Sequence, residues 1–303
     1  MKVVSHVFEL IGQTPIVKIN KINPNPAAEI YAKIEWFNPT GSLKDRIALT
    51  MIEEAEQKKR LTKDKIILEA TSGNTGIGIA WVAALKGYKC AIVMAKDVSE
   101  ERKKILDLLG ADLIFVNTES EAIAKAREMA EDPQYVMTDQ FANDINWKTH
   151  YQTTAQEVWE QTSGKITHFV AGIGTSGTIM GVGRRLKELN PRIQIIGVQP
   201  SRIQSKQQGL LNLKEFCPEI CKVHEVVDEM MMVDDKDAFS TARDLIVKEG
   251  LFAGISSGSA MYGAIQKARE ISGGLIVAIL GDHAFKYLST ELFARQAKDE
   301  QEG

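Results

Sequence analysis

Between residues 66 and 138 short apolar runs alternate with amphipathic stretches. The runs Ile66–Ala70, Cys90–Met94, Leu113–Val116 and Tyr135–Thr138 lack a regular polar alternation, the mark of parallel strands buried on both faces. The stretches between them, Thr75–Lys86, Glu100–Leu109 and Glu121–Ala130, carry apolar residues at helical spacing. A second series follows: helix Thr154–Gln161, strand Ile166–Ala171, helix Thr178–Leu189, strand Ile193–Val198, helix Asp237–Lys248, strand Leu251–Ile255, helix Ala260–Ile271 and strand Leu275–Leu280. Earlier, Glu29–Trp36 alternates like a strand, and 144–149 breaks the rhythm. The pattern predicts an α/β protein of two doubly wound domains, with a ligand cleft beyond the carboxyl ends of the strands. A smaller, mobile domain is expected over 40–147 and a larger one over 1–39 plus 148–303. Residues 201–222 are polar and too many for a turn, so they are a candidate lid or selectivity segment. The acidic tail from Lys298 is expected to fray.

The run Asn38-Pro39-Thr40-Gly41-Ser42-Leu43-Lys44-Asp45-Arg46 is a turn with a helical pattern behind it, and Ser42 is placed to cap that helix. Lys44 then lies in a first helical turn, where the dipole disfavours a cation. At roughly 100° per residue it shares a stripe with Ala48, Met51 and Ala55, while Arg46, Glu53 and Gln57 point the other way. An inward lysine at a helix N-terminus has a lowered pKa and a free amine able to form a Schiff base. A lysine that snorkels to water fits this stretch equally well.

Composition narrows the function classes. The 303 residues are 44% hydrophobic, enough for a sizeable core, and 37 basic against 40 acidic residues leave a net charge of -3. No basic run suits nucleic acid, and the longest apolar stretch, Gly76–Leu85, is too short to cross a bilayer. Residues 1–6 lack the apolar core of a signal peptide. Cys90, Cys217 and Cys221 suggest neither a disulfide framework nor a zinc site, so no metal is expected and the cytoplasm is the expected compartment.

Three glycine-rich turns stand where strands hand over to helices. Thr71-Ser72-Gly73-Asn74-Thr75-Gly76 offers hydroxyls, an amide and backbone N–H groups to a small anion such as a carboxylate. Gly172-Ile173-Gly174-Thr175-Ser176-Gly177-Thr178 matches G-x-G-x-x-G, yet the next strand ends in Val198-Gln199-Pro200 without the acid a dinucleotide ribose needs. A phosphate cradle remains. Gly254-Ile255-Ser256-Ser257-Gly258 matches a nucleophile elbow, but adjacent Asp282 and His283 make a poor relay, so a serine hydrolase using Ser256 is a weak alternative. Ser256 can instead meet a ring nitrogen. Amine, phosphate cradle and hydroxyl together describe a site for pyridoxal 5'-phosphate.

These four motifs, in this order, resemble the cysteine synthase/cystathionine β-synthase family of fold-type II pyridoxal phosphate enzymes, tryptophan synthase β-like in fold. The similarity runs from about Ile11 to Thr290, and 208–229 is closer to the B-type O-acetylserine sulfhydrylases. The resemblance implies that Lys44 holds the cofactor covalently and moves the Cα proton, that Asn74 meets the ring hydroxyl, that Gly174, Thr175, Ser176, Gly177 and Thr178 bind the phosphate, and that Ser256 faces the pyridine nitrogen. Thr71, Ser72, Gly73, Thr75 and Gln140 would hold the substrate carboxylate. It further implies a homodimer that makes cysteine and acetate from O-acetylserine and sulfide. The rival within the fold is β-replacement on serine or cysteine, giving cystathionine or lanthionine with sulfide release.

The chain departs from the family in four places. Gly281-Asp282-His283-Ala284-Phe285-Lys286 stands where a small residue, Gly, an acid and Arg usually precede Tyr-Leu-Ser-Thr. Gln13 replaces the common Asn, and Ser259 a small apolar residue. Leu211 lies where some B-type relatives carry a cation, which argues against O-phosphoserine.

Overall fold

The computed structural model describes residues 3–214 and 217–294, so the tail from Lys298 lies outside the described residues. Strands β1 (Ile16–Ile19) and β2 (Ala28–Ile34) come first, then β3 (Ile66–Ala70), β4 (Lys89–Ala95), β5 (Asp112–Val116) and β6 (Tyr135–Met137). β7 (His168–Gly172), β8 (Gln194–Pro200), β9 (Glu229–Val233) and β10 (Gly274–Leu280) follow. They form two sheets, ordered β1-β2-β10-β7-β8-β9 and β5-β4-β3-β6. Every pairing is parallel except β1 with β2. Apolar runs buried on both faces thus became parallel strands, as expected.

Both sheets reverse direction in the middle. In the smaller, the chain runs from β3 out to β5 and returns to β6 on the other side of β3. In the larger, it runs from β7 out to β9 and returns to β10 on the other side of β7. Loops leaving the strands at such switch points diverge and leave a crevice. The loops after β3, β7 and β10 all open into one cleft.

Helix α1 (Lys44–Gln57) buries Ile47, Ala48, Met51, Ile52 and Ala55 against α2 (Asn74–Lys86) in a shared apolar cluster. The two helices come close because residue 78 is glycine. A Cβ there would lie 2.9 Å from the Ala48 Cβ and 3.3 Å from the Lys44 carbonyl oxygen. Helices α3 (Glu100–Leu108) and α4 (Glu119–Met129) complete the covering of the small sheet. The large sheet is covered by α6 (Thr154–Gln161), α7 (Gly177–Leu189), α8 (Asp235–Glu249) and α9 (Ile255–Glu270), and α5 (Ile145–Gln152) packs against α7 and α1.

Four expectations are corrected. Arg46 does not face water: it is 2% exposed. Its Nε and Nη2 donate to the two Glu35 oxygens at 2.8 and 3.0 Å, and its Nη1 and Nη2 to Glu157 at 2.6 and 2.8 Å. Lys33 joins Glu157 at 2.6 Å, so this fork ties α1 to β2 and α6. Residues 144–149 are not a break but the start of α5, obscured because its polar residues Asn146, Thr149 and His150 point inward. The expected strand Leu251–Ile255 is irregular chain with one bridge, Ala253 to His283, and α9 starts at Ile255 rather than Ala260. Finally, β1 and β9 carried too little local signal to be anticipated.

Candidate active site

The cleft between the sheets has a volume of about 740 Å³, and every candidate residue named from the sequence lines it. Lys44 opens α1. The Ser42 hydroxyl accepts from the Lys44 N–H at 3.3 Å, although the helix cap itself is Leu43. The Lys44 amine forms no hydrogen bond or ion pair among the described residues. Desolvation lowers its pKa to about 8, against a weaker upward pull from Glu69. Glu69, at the end of β3, is fully buried and is itself pushed up to about 8 by desolvation. Thr138 Oγ1 donates to it at 2.5 Å and the Ala70 N–H at 3.0 Å. The amine is therefore held in reach of the cleft with little to keep it charged.

The turn after β3 faces the same space. Thr71 Oγ1 accepts from the Gly73 N–H at 3.1 Å, while the N–H groups of Ser72, Asn74 and Thr75 have no partner among the described residues. They open the 13-residue helix α2, a setting that attracts an anion. Thr75 Oγ1 donates to Gln140 Oε1 at 2.6 Å, and Gln140 Nε2 to the Ala70 carbonyl at 3.1 Å. Ser72 Oγ donates to Glu119.

The turn after β7 is the more enclosed. The N–H groups of Gly174, Thr175, Ser176 and Thr178 have no partner among the described residues, and they converge at the start of α7. A Cβ on Gly174 would lie 2.4 Å from the Gly209 carbonyl oxygen, and one on Gly177 1.9 Å from Asn146 Oδ1. Only glycine leaves this space open. Ser176 takes a left-handed φ of 67° to turn the backbone donors into it, and its hydroxyl is spent on the Thr175 carbonyl at 2.5 Å. Asn146 Nδ2 donates to Thr175 Oγ1 at 2.9 Å, and Thr178 Oγ1 lies 3.3 Å from His150 Nε2. Burial holds the His150 pKa well below its ordinary value, so the ring is neutral. Backbone N–H groups, more than hydroxyls, make this cradle.

Ser256 lies in the first turn of α9, so the third glycine-rich run is the start of a helix and not a loop. The hydrolase relay is not assembled. His283 Nδ1 accepts from the Phe285 N–H at 3.2 Å and its ring stacks on Phe252 at 6.1 Å, while Asp282 bonds Asn74 and Tyr287, each at 2.7 Å. Ser259, one of the departures, is buried and donates to Gln207 Oε1 at 2.7 Å, holding Gln207 beside the cleft. Gln13, another, has φ 49°, a conformation Asn adopts with less strain.

Sequence reasoning missed Glu69, Asn146, His150 and Arg102. Arg102, 1% exposed, donates to the Ser72 carbonyl at 2.9 Å and to the Tyr287 hydroxyl at 2.8 Å, bracing the first loop against the far wall. For the last three the available signal was an abundance of polar residues in α3 and α5, which reads as solvated surface until their partners are known.

A free amine, an enclosed set of unpaired N–H donors and a hydroxyl at a helix start fit pyridoxal phosphate, whose aldehyde, phosphate and ring nitrogen they match. The comparisons agree. A family model described as pyridoxal-phosphate dependent enzyme matches residues 7–282. The chain is 42% identical over 292 residues to cysteine synthase B of Salmonella typhimurium, covering 95% of this chain and 96% of that protein. It is similar in structure to a hydrogen sulfide-producing enzyme from Fusobacterium nucleatum, with TM-score 0.90, 37% identity and coverage of 94% and 100%. It is also similar to cysteine synthase from Entamoeba histolytica, with TM-score 0.91, 33% identity and coverage of 98% and 93%. With the match spanning both sheets and the whole cleft, the chain belongs to the family of pyridoxal-phosphate dependent enzymes.

Proposed function

We propose that the protein replaces the β-substituent of an activated serine, making L-cysteine and acetate from O-acetyl-L-serine and sulfide. The observation that carries this reading is the Lys44 amine, with its pKa lowered to about 8, in one cleft with the unpaired N–H groups of both loops. Pyridoxal phosphate, when bound, supplies an electron sink that loosens the Cα proton and the β-substituent.

The chain's own residues do the rest. Lys44 would hold the coenzyme through its amine and, once displaced by the substrate amine, carry the Cα proton. Gly174 to Thr178 would hold the phosphate, Asn74 the ring hydroxyl and Ser256 the ring nitrogen. A neutral hydroxyl there, unlike a carboxylate, leaves the nitrogen unprotonated, which favours elimination over transamination. Thr71, Ser72, Gly73, Thr75 and Gln140 would orient the substrate carboxylate. Closure of the smaller domain, 40–147, on the larger, 1–39 plus 148–303, would exclude water. We place the protein in the cytoplasm as a homodimer. The three free cysteines are in keeping with that compartment.

A second reading, β-replacement on serine or cysteine to give cystathionine or lanthionine, with sulfide leaving where cysteine is the donor and a thiol takes its place, is favoured by the likeness to the sulfide-producing Fusobacterium enzyme. Product analysis separates the two. Coenzyme-loaded protein given O-acetylserine and sulfide is expected to form cysteine and acetate in equal amounts. No cysteine there, with sulfide evolved from cysteine alone or with homocysteine, overturns the first reading in favour of the second.

A further inference from the structure

The turn 284–287 after β10 brings a buried lysine up behind Asn74, which lines the cleft. Lys286 is 6% exposed, and its backbone is held at both ends: its N–H donates to the His283 carbonyl at 3.3 Å and its carbonyl accepts from Ser99 Oγ at 2.9 Å. Its Nζ donates to Asn74 Oδ1 at 2.8 Å. On the other side of the same amide, Asn74 Nδ2 donates to Asp282 Oδ2 at 2.7 Å. Asp282, 1% exposed, is held by the Tyr287 hydroxyl at 2.7 Å, and Arg102 approaches to 4.0 Å.

An asparagine amide can sit either way round, and its two orientations usually differ little in energy. Here they do not. The ammonium needs an acceptor and the carboxylate a donor, so reversal would set N–H against N–H and oxygen against oxygen. Both bonds are charge-assisted, roughly twice as strong as neutral ones. Asn74 Nδ2 has two hydrogens and Asp282 engages one, which leaves the second as a donor for an oxygen in the cleft.

We propose that Lys286, acting with Asp282, is a positioning residue that locks the Asn74 amide with its nitrogen toward the coenzyme's ring oxygen. This deepens the assignment of Asn74 to the ring hydroxyl and rests on that assignment. Lys286 touches neither substrate nor coenzyme and works only through Asn74. The chain has lysine where its family usually has arginine, so the conservative change is also the informative one.

The experiment is a double-mutant cycle on the full chain with pyridoxal phosphate as the probe. Binding of the coenzyme, its absorption maximum when bound and the thermal midpoint of coenzyme-free protein are measured for wild type, Lys286→Met, Lys286→Arg, Asn74→Ala and the double variant Asn74→Ala with Lys286→Met. Lys286→Met is expected to weaken coenzyme binding about tenfold and to move the absorption maximum, with no drop in the midpoint of the coenzyme-free protein. Lys286→Arg is expected to stay within about threefold of wild type, and Lys286→Met to have less than about a twofold effect once Asn74 is alanine.

An unchanged affinity and spectrum in Lys286→Met overturns the inference. So does a loss that persists in full in the Asn74→Ala background, or one that follows a drop in the midpoint. Should Lys286→Met not fold, Lys286→Gln is read by the same criteria. If wild-type protein takes up no coenzyme, the coenzyme reading itself fails; normal uptake by wild type with an indifferent Lys286→Met removes only this inference.

Discussion

Replacing Lys44 with methionine keeps the unbranched side chain but for its terminal atom and removes its charge, and it should stabilise the coenzyme-free protein. An amine brought from 10.5 to about 8 has its charged form disfavoured in the fold by about 3 kcal/mol. The side chain is only half-buried and meets water in the cleft, so about 1.5 to 3 kcal/mol is the expected range. The folded state releases this proton at lower pH than the unfolded state does. Between pH 8 and 10.5 the unfolded chain therefore binds more protons, and stability rises with pH across that window. Below about 8 the full penalty applies.

At pH 7 Lys44→Met should thus melt roughly 3 to 6 °C above wild type, and the difference should close by pH 10.5. Thermal and urea denaturation of dialysed protein at both pH values measures it, and comparing variant with wild type at each pH cancels the other titrating groups. A variant no more stable at pH 7, or an advantage that survives at pH 10.5, would show that the amine is well solvated and the reasoning wrong. The same variant should lose covalent coenzyme uptake and turnover. The residue the chemistry needs most is one the fold holds at a loss.

Gly177→Ala drives a Cβ into Asn146 and should weaken coenzyme binding at least tenfold by titration; unchanged binding would mean that the cradle lies elsewhere. Arg46→Met strands the buried Glu35 carboxylate and should cost about 3 to 5 kcal/mol in urea denaturation, a loss below about 1 kcal/mol counting against the buried fork. Glu69, raised from 4.5 to about 8, binds its proton more tightly when folded, so wild type should lose stability with rising pH between those values. Glu69→Gln should flatten that slope in denaturation midpoints taken from pH 5 to 8, and parallel slopes would contradict it. Thr75→Val removes a hydroxyl from the carboxylate loop, and KM for the amino-acid substrate should rise about tenfold with kcat within about threefold; a fall in kcat alone would place Thr75 in the chemistry instead.

What the order of residues alone determined is the part written in local periods. Apolar runs such as Ile66–Ala70, which is the strand as observed, announce parallel strands because a strand buried on both faces has no polar side to show. Glycine-rich turns at strand-to-helix junctions announce anion sites, and Lys44 at a helix start announces an amine out of place. What only the tertiary structure decided is everything buried by pairing with a distant partner. Arg46 reads as surface until Glu157, 111 residues away, neutralises it. Helix α5 reads as a break because Asn146 and His150 are polar, yet they point inward to hold Thr175 and Thr178. Lys286 reads as an unremarkable change until Asn74, 212 residues away, meets its ammonium. Apolar burial leaves a trace in each window of sequence, because water rejects each side chain separately. Polar burial leaves none, since a charge or amide is acceptable inside only when the fold delivers its complement.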